Sequence, residues 1–300
     1  MNAFNKKNFY RKINIKFIVI ISIEDGRLGN QLFQYSALKK LFPTEKLILV
    51  GYDALDHLVE PIEAKLIKKS QLPSWLSLVL LRKFILLLSN IRLLSSISEK
   101  KSQMSYWLET KKGVIFNINV LRSTFFQHTT IAEDLKLQFR IRECHSQKAK
   151  SWISRNLPEK CQKQLVFIHI RRGDYLTWPD QDNPAVLDLD WYLKAMEYMG
   201  TRINNPLFII LTDDIHYAKD VFSKYPNVVI SENCQYVDLA LMTQCRMGIL
   251  SASSFAWWGA WFSIQNEKDN NIYIAPKYWG GHRTFHWFPE GFIFDWITYF

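Results

Sequence analysis

Charged and hydroxyl side chains gather in three short segments in the second half of the chain, and each segment follows an apolar run. The segments are His169–Asp174, Thr212–Asp214 and Ser251–Ser254. The guanidinium groups of Arg171 and Arg172 are planar, permanently charged forks that suit phosphate oxygens. Serine hydroxyls and the unpaired N–H groups at the start of a helix also bind phosphate. Together the segments predict a site for a phosphorylated ligand.

The arginine, glycine and aspartate side chains of these segments have distinct expected roles. Neighbouring side chains in a strand point to opposite faces, so we expect one arginine to face the ligand and the other to brace a carboxylate. Gly173 allows the backbone to turn close to the ligand. A carboxylate such as Asp213 or Asp214 can accept hydrogen bonds from both N–H donors on the edge of guanine.

Each segment also has a purely structural interpretation. An Arg-Arg-Gly-Asp string can be a surface turn with a salt bridge, and a serine before a helix is commonly an N-cap. The adjacent residues Trp257 and Trp258 are typical of a buried core. The occurrence of all three segments at successive strand ends favours a shared ligand site.

A glycine-containing loop, Gly26–Gln31, follows the first predicted strand and opens a helix. It lacks the third glycine of the dinucleotide fingerprint and the Lys-Ser/Thr end of an ATP-type phosphate loop. Gly29 permits close backbone approach, and Asn30 and Gln31 offer amide groups. We expect these three residues to face a cleft between two domains.

Two D-x-D pairs, Asp180/Asp182 and Asp188/Asp190, have the spacing that many transferases use to hold Mg²⁺ or Mn²⁺. The pattern arises easily by chance, and Asp190 is well placed as an N-cap. Arginines and a helix N-terminus can neutralise a diphosphate without a metal. We therefore predict no metal site and no cofactor.

Short apolar runs that alternate with helical patterns predict an α/β protein of two Rossmann-like domains, residues 1–158 and 159–300. The first begins with strand Lys16–Ile23, a helix from Asn30 to Leu41 and strand Lys46–Gly51. Residues 54–110 are expected to be mainly helical, followed by strands Val114–Ile118 and Ser123–His128 and a helical stretch Ala132–Leu157. The second domain is expected to contain strands Leu165–Ile170, Leu207–Leu211, Val228–Ile230 and Met247–Leu250, with helices Asp190–Met199, 215–224 and Tyr236–Cys245.

The formal net charge of +10 and the pI near 9.3 favour an anionic partner. Nucleic acid is not expected, because the sequence has no zinc finger, recognition helix or RNA-binding aromatic signature.

Residues 75–94 are apolar but interrupted by Arg82, Lys83 and Arg92, so they predict either two core-facing helices or a basic amphipathic patch at a membrane surface. The four cysteines show no metal spacing and favour free thiols in a reducing cytoplasm.

Four motifs, in this order, resemble those of the bacterial α-1,2-fucosyltransferases, glycosyltransferase family 11. They are G-R-L-G-N-Q-L-F-Q-Y-S-A at 26–37, H-I-R-R-G-D-Y at 169–175, L-T-D-D at 211–214 and S-A-S-S-F-A-W-W-G-A-W at 251–261. Arg27 and Ala256 depart from the usual pattern. The resemblance implies a GT-B-type fold and inverting, metal-independent transfer of L-fucose from GDP-β-L-fucose to the 2-hydroxyl of a terminal β-galactose.

The resemblance also implies roles for individual residues. Arg171 would hold the β-phosphate; Arg172 is expected either among the donor-binding residues or, from the alternation of side chains, as a structural brace. Asp174 is a candidate base, or else the brace for Arg172, and Asn30 completes the catalytic set. The expected donor-binding residues are His169, Arg171, Arg172, Asp213, Asp214, Asp238, Ser251, Ser253, Ser254 and Phe255, and the expected acceptor-side residues are Gly29, Asn30, Gln31 and Trp178.

Two other functions fit parts of the sequence. One is a transferase of the same fold that uses another GDP-sugar, and the other is a non-catalytic carbohydrate-binding protein that uses its tryptophans. The preferred galactoside, the identity of the base and the oligomeric state do not follow from the sequence. The expected location is the cytoplasm, at or near the inner membrane.

Overall fold

The computed structural model describes residues 19–101, 106–122, 125–132, 135, 139–157, 164–266, 271–283, 285 and 292–300. The chain forms two compact units. The first comprises Met1–Arg140 with Glu290–Ile293, and the second comprises Ile141–Pro289 with Phe294–Phe300. The boundary between the two units, after Arg140, therefore lies before the domain boundary that the sequence predicted at residue 158.

The first unit contains a six-stranded sheet with strand order β4-β2-β1-β7-β5-β6. The six strands of this sheet are β1 Val19–Ile23, β2 Lys46–Val50, β4 Lys65–Ile67, β5 Leu94–Lys101, β6 Tyr106–Lys111 and β7 Ile115–Leu121. The short strand β3, Val59–Glu60, lies outside the sheet. The helices of the unit are α1 Leu28–Leu41, α2 Asp53–Leu58, α3 Leu78–Asn90 and α4 Thr129–Ala132. All neighbours in the sheet are parallel except β5 and β6, which pair antiparallel. The order reverses between β1 and β7, so their carboxyl ends flank a topological switch point.

The prediction of mainly helical structure over residues 54–110 is wrong for its second half. Residues from Leu94 to Lys111 form the antiparallel pair β5 and β6, with Ser96 opposite Lys111 and Lys101 opposite Tyr106. Helix α3 ends because Arg92 adopts a left-handed conformation with φ of 59°, and the Leu93 N–H bonds to the Leu88 carbonyl. The chain then turns into the sheet.

Two further element predictions differ from the structure. No strand covers the described residues 125–128 of the expected strand Ser123–His128, and residues 123 and 124 lie outside the described residues. The expected helix Ala132–Leu157 is shorter than predicted and begins at Glu143, after the two-residue strand β8, Arg140–Ile141. Residues 16–18 of the first predicted strand also lie outside the described part of the chain.

The second unit contains a parallel six-stranded sheet with strand order β11-β10-β9-β12-β13-β14. Its strands are β9 Leu165–Ile170, β10 Leu207–Thr212, β11 Val228–Ile230, β12 Met247–Ile249, β13 Ile272–Ala275 and β14 Thr298–Tyr299, and its helices are α5 Glu143–Asn156, α6 Leu189–Arg202, α7 Ile215–Phe222, α8 Gln235–Met242 and α9 Ser254–Asn266. Helix α5 belongs to this unit because it packs on α8, where the rings of His145 and Tyr236 stack with centroids 5.4 Å apart.

The core of the second unit fixes the position of its strand ends. All six residues of β9 are buried, as expected for a central parallel strand covered on both faces. Trp257 and Trp258 of α9 are fully buried, so the structural interpretation of this pair is confirmed.

Among the described residues, no helix is both long enough and apolar enough to span a bilayer.

Candidate active site

The second sheet brings the three polar segments together at one edge. Strands β10 and β12 both pair with β9, and Ile170 lies opposite Thr212 while Ile168 lies opposite Ile249. The strand order reverses between β9 and β12, so their carboxyl ends form the switch point where ligands bind in open α/β sheets. The three segments therefore follow neighbouring strands, as the sequence predicted.

His169 joins the two strands at the switch point. Its side chain is buried, its Nδ1 lies 2.7 Å from the Ser251 Oγ, and its ring centroid lies 5.5 Å from that of Phe255. Burial, reinforced by the nearby positive charge of Arg171, lowers the pKa of His169 to about 3. The imidazole is therefore neutral at ordinary pH and serves as a fixed hydrogen-bonding group.

Arg171 is held by two carboxylates. Its guanidinium pairs with Asp174, and its Nη1 lies 2.6 Å from the Asp213 Oδ2. The side chain is only 12% exposed, and its Cζ lies 5.5 Å from the centre of the Tyr175 ring. These contacts orient the guanidinium before any anion binds, which reduces the entropy lost on binding.

Gly173 is required by the approach of Asp213. A Cβ atom at this position would lie 2.6 Å from the Asp213 Oδ2, the same oxygen that binds Arg171. The other oxygen, Oδ1, accepts a hydrogen bond from the Arg172 backbone N–H at 2.8 Å. Any larger residue would displace this carboxylate from the arginine.

Arg172 has a different environment and is braced by Asp214. Its Nε donates to the Asp214 Oδ2 at 3.0 Å, and its Cζ lies 3.7 Å from the centre of the Tyr217 ring. The Asp214 Oδ1 accepts from the Tyr217 N–H and so caps helix α7. That backbone hydrogen bond, with the Arg172 contact, lowers the pKa of Asp214. The structure thus pairs Arg172 with Asp214, whereas Asp174 pairs with Arg171.

Asp238 is a buried carboxyl at the same edge, in the first turn of α8. Its Oδ1 accepts a hydrogen bond from the Ser231 Oγ at 2.6 Å. Burial raises the pKa of Asp238 to about 7, although the serine hydrogen bond opposes the shift. Ser231 directly follows β11, so Asp238 lies beyond the strand next to β10.

The serine segment leads from β12 into helix α9, which begins at Ser254. The Ser253 Oγ accepts from the Phe255 N–H at 3.3 Å, and the Ser253 carbonyl accepts from the Trp257 N–H at 3.0 Å. Ser253 is therefore a helix-capping residue. The same helix N-terminus also presents the partial positive charge that anions bind.

Tyr175 and Tyr217 are site residues that the sequence analysis missed. The Tyr175 hydroxyl donates to the Ala252 carbonyl at 2.7 Å, and this contact ties the arginine segment to the serine segment. Its ring also stacks on Trp178, with centroids 5.2 Å apart. The one signal in the sequence for Tyr175 is its position directly after Asp174. Its hydrogen-bond partner, Ala252, is distant in the sequence, so no local pattern reveals the contact.

The expected acceptor-side residues lie in different units. Trp178 belongs to the second unit and is 40% exposed. In the first unit, the Asn30 Oδ1 accepts from the Gln127 Nε2 at 2.9 Å, beyond the carboxyl end of β7. Gly29 is buried at the start of α1. The buried Gln31 uses its amide internally, because its Nε2 donates to Glu24 and its Oε1 accepts from the Leu55 N–H.

One carboxylate of each D-x-D pair has a structural partner, and Asp190 is not the N-cap that the sequence suggested, because α6 begins at Leu189 after Asp188. The Asp180 Oδ1 accepts from the N–H groups of Asp182 and Asn183 in a tight turn, and Asp188 forms an ion pair with Arg283 at 3.1 Å. Across the described ranges, no group of three His, Cys, Asp or Glu side chains is arranged to hold a metal ion.

Three known glycosyltransferases are similar in sequence to parts of this chain. An O-antigen biosynthesis glycosyltransferase, WbnK, of Escherichia coli is 36% identical over 117 residues, which are 37% of this chain and 38% of that protein. An alpha-1,2-colitosyltransferase of Escherichia coli is 36% identical over 125 residues, or 38% and 40% of the two chains. Galactoside alpha-(1,2)-fucosyltransferase 1 of Rattus norvegicus is 28% identical over 161 residues, or 51% and 41%. The matched regions thus span about two fifths of the length of these relatives.

A structural likeness identifies the fold, and a family model identifies the family. The crystal structure of POFUT1 in complex with GDP-fucose superposes with a TM-score of 0.54 and 12% identity, covering 86% of this chain and 97% of that one. The predicted α/β fold of the GT-B type is therefore confirmed. Residues 10–298 match the model of glycosyl transferase family 11. Because this match spans almost the whole sequence, the chain belongs to glycosyl transferase family 11.

Proposed function

We propose that this chain transfers L-fucose from GDP-β-L-fucose to the 2-hydroxyl of a terminal β-galactose, with inversion and without a metal ion. The observation that carries the proposal is Arg171, which two carboxylates hold at the switch point of the second sheet. Family membership and the names of the α-1,2-transferase relatives support the linkage and the sugar.

The diphosphate is assigned to Arg171 and the N-terminus of helix α9. The guanidinium can present two parallel N–H donors to a phosphate, which a lysine cannot do. The hydroxyls of Ser253 and Ser254 supply further donors, and the N-terminus of α9 adds its partial positive charge. Negative charge grows on GDP as the bond to fucose breaks, so these groups stabilise the transition state more than the bound donor.

The guanosine is assigned to His169, Phe255 and Asp238. Each oxygen of Asp213 and Asp214 already accepts from an arginine or a backbone N–H. We therefore assign the guanine edge to Asp238, whose carboxylate form accepts from N–H donors. His169 is neutral and buried, and it positions Ser251 beside the nucleotide.

The transfer step forms one bond and breaks one. The acceptor 2-hydroxyl oxygen attacks the anomeric carbon of fucose from the face opposite the diphosphate, and the electron pair of the breaking C–O bond leaves with GDP. The hydroxyl proton passes to a base, for which we propose Asp174, whose carboxylate then has to leave its ion pair with Arg171 to reach the acceptor hydroxyl. Its side chain is 50% exposed, while those of Asp213 and Asp214 are 26% and 31% exposed, so it is the most accessible of the three.

The acceptor is assigned to Trp178, which lies in the second unit. The exposed indole of Trp178 offers a flat apolar face of the kind that galactose rings contact, and its stacking on Tyr175 holds that face in place. The acceptor-side roles of Gly29 and Asn30, in the first unit, stay predictions; there the Asn30 Oδ1 accepts a hydrogen bond from Gln127.

Transfer of colitose is the second candidate function, because a colitosyltransferase matches this chain at 36% identity. Colitose is fucose without its 3-hydroxyl, so the two donors share every group that the proposed diphosphate and guanine contacts use. A donor panel of GDP-fucose, GDP-colitose and GDP-mannose with lactose as acceptor separates the possibilities. Turnover of GDP-fucose well above the other two supports the proposal, and equal turnover of GDP-mannose contradicts it.

The proposal places the enzyme in the cytoplasm. Cys144, Cys234 and Cys245 are free thiols in the described chain, while Cys161 lies outside it. Two of these thiols are exposed, a state that a reducing compartment preserves. Cell fractionation tests this location: transferase activity in the periplasmic fraction contradicts it.

A further inference from the structure

Helix α3 of the first unit presents an apolar surface to solvent. Leu80, Phe84, Leu87 and Ile91 follow one another at helical spacing, so they lie on one face, and each is more than half exposed. Trp75, just before the helix, is 75% exposed. We call these five residues the α3 surface.

The other side of the helix is already used by the fold. Ile85 and Leu86 line a small cleft with Ile23 and Val120, and Ser89 is buried. The helix is therefore apolar on its outer face as well as its inner face. An apolar outer stripe on a surface helix marks an interaction site.

The sequence around the α3 surface is strongly basic. Between Glu63 and Glu99 there is no aspartate or glutamate. The same interval contains six basic residues: Lys65, Lys68, Lys69, Arg82, Lys83 and Arg92. Three of the six, Lys68, Lys69 and Arg82, already form ion pairs with acidic side chains of the same unit. Lys83 and Arg92 are exposed on or beside α3. The partner that fits must therefore be anionic and must also accept apolar side chains.

We propose that the α3 surface docks on a membrane that contains anionic lipids. A helix that lies in the plane of a bilayer inserts its apolar face among the acyl chains while lysine and arginine remain at the headgroups. Trp75 and Phe84 are the aromatic side chains that such an interface favours. An aqueous protein partner with an acidic rim would satisfy the charges but would also need a matching apolar groove.

Docking through α3 would fix the orientation of the loop that precedes α1. Arg82 points inward, where its guanidinium donates to the Glu24 carbonyl and lies 3.2 Å from the Asp25 carboxylate. This loop continues through Gly26, which has φ of 76°, to Asn30. The helix that meets the membrane is thus bonded directly to the loop that leads into α1.

Vesicle sedimentation of the full chain tests the proposal without donor or acceptor. One set of vesicles contains phosphatidylcholine alone, and the other contains an equal mixture of phosphatidylcholine and phosphatidylglycerol. We expect about tenfold stronger binding to the mixed vesicles, and weaker binding as salt rises. Phe84→Glu should weaken binding at least about tenfold, since a carboxylate replaces a membrane-facing ring.

Phe285→Glu is the matched control, because Phe285 lies in the second unit and is 68% exposed, compared with 57% for Phe84. It should bind like the unaltered chain. Lys83→Glu is a second variant at an exposed position and should also weaken binding to the anionic vesicles. Circular dichroism establishes that each variant is folded.

Three outcomes overturn the proposal: no binding of the unaltered chain to anionic vesicles, equal binding to both vesicle types, or full binding by folded Phe84→Glu and Lys83→Glu. Self-association that Phe84→Glu abolishes, without vesicle binding, would show that a second copy covers the α3 surface instead. None of these outcomes bears on the transferase reaction, which the donor panel tests separately.

Discussion

The buried carboxyl of Asp238 gives the chain a pH dependence of stability that one substitution should remove. The pKa of Asp238 is raised from 3.8 to about 7 in the folded chain, because burial disfavours the charged form. A raised pKa means that the folded state keeps its proton to a higher pH than the unfolded state does. The stabilisation linked to the protonated carboxyl is therefore complete below pH 3.8 and is lost as the pH rises to about 7.

The size of the effect follows from the shift. One proton per molecule changes the free energy of unfolding by about 1.4 kcal/mol per pH unit. Between pH 5 and pH 7 the unfolded carboxyl is ionised while the folded carboxyl is still largely protonated, so the loss is about 2 kcal/mol. Asp238→Asn cannot ionise, and its amide keeps a polar group beside the Ser231 hydroxyl.

Urea denaturation followed by tryptophan fluorescence measures this change. The difference in free energy of unfolding between Asp238→Asn and the unaltered chain should grow by about 2 kcal/mol from pH 5 to pH 7. Asp220→Asn, an exposed position on α7, is the control and should show a constant difference. A difference for Asp238→Asn that stays constant within about 0.5 kcal/mol would refute the reasoning.

Four further predictions follow from the site. Arg171→Lys should lower kcat about 10²- to 10³-fold, because a point charge cannot replace the planar fork, and steady-state kinetics with GDP-fucose measure the loss. Tyr175→Phe removes the hydrogen bond to Ala252 and should lower kcat/KM for the donor about tenfold while the chain stays folded. Asp214→Ala removes both the α7 cap and the Arg172 brace, so thermal unfolding should show a loss of about 1 to 2 kcal/mol. Activity should survive EDTA, since arginine and a helix N-terminus replace a metal at the diphosphate.

Each of these four predictions has its own refuting result. Unchanged kinetics of Arg171→Lys would remove its assignment to the diphosphate. A Tyr175→Phe chain with full activity would mean that the serine segment does not depend on the hydroxyl. An undiminished melting temperature for Asp214→Ala would show that neither contact stabilises the fold, and EDTA inactivation reversed by Mn²⁺ would overturn the metal-free account.

The second sheet could be predicted from the sequence because its central strands are short runs of branched apolar residues with polar residues at their ends. Leu165–Ile170 is such a run, and it is buried throughout. Strands β13 and β14, at the far side of the sheet, were not predicted. They join the sheet through tertiary pairing, β13 with β12 and β14 with β13.

The hairpin from Leu94 to Lys111 could not be predicted, since the leucine-rich run of α3 continues past the helix end. Helices commonly end at a glycine in the left-handed region, but here Arg92 adopts that conformation. No local signal therefore separated the helix from β5. The tertiary pairing of β5 with β7 decides the structure of this segment.

The partners of the two arginines could be predicted only in part. The sequence indicated that the arginines differ, and the alternation of side chains explains why. It offered Asp174 as a partner for Arg172 because the two are neighbours, but the carboxylate that binds Arg172 is Asp214. That contact depends on the register that places Ile170 opposite Thr212, which no local pattern reveals.

The transfer of fucose from GDP-fucose is the central claim, and analysis of the product tests it most directly. Purified chain is incubated with GDP-fucose and lactose, and the linkage of the product is determined by NMR. The proposed function predicts release of GDP together with a trisaccharide in which α-linked fucose occupies the 2-hydroxyl of galactose. Fucose at another hydroxyl, a β linkage, or no product while the chain still binds oligosaccharide would contradict it.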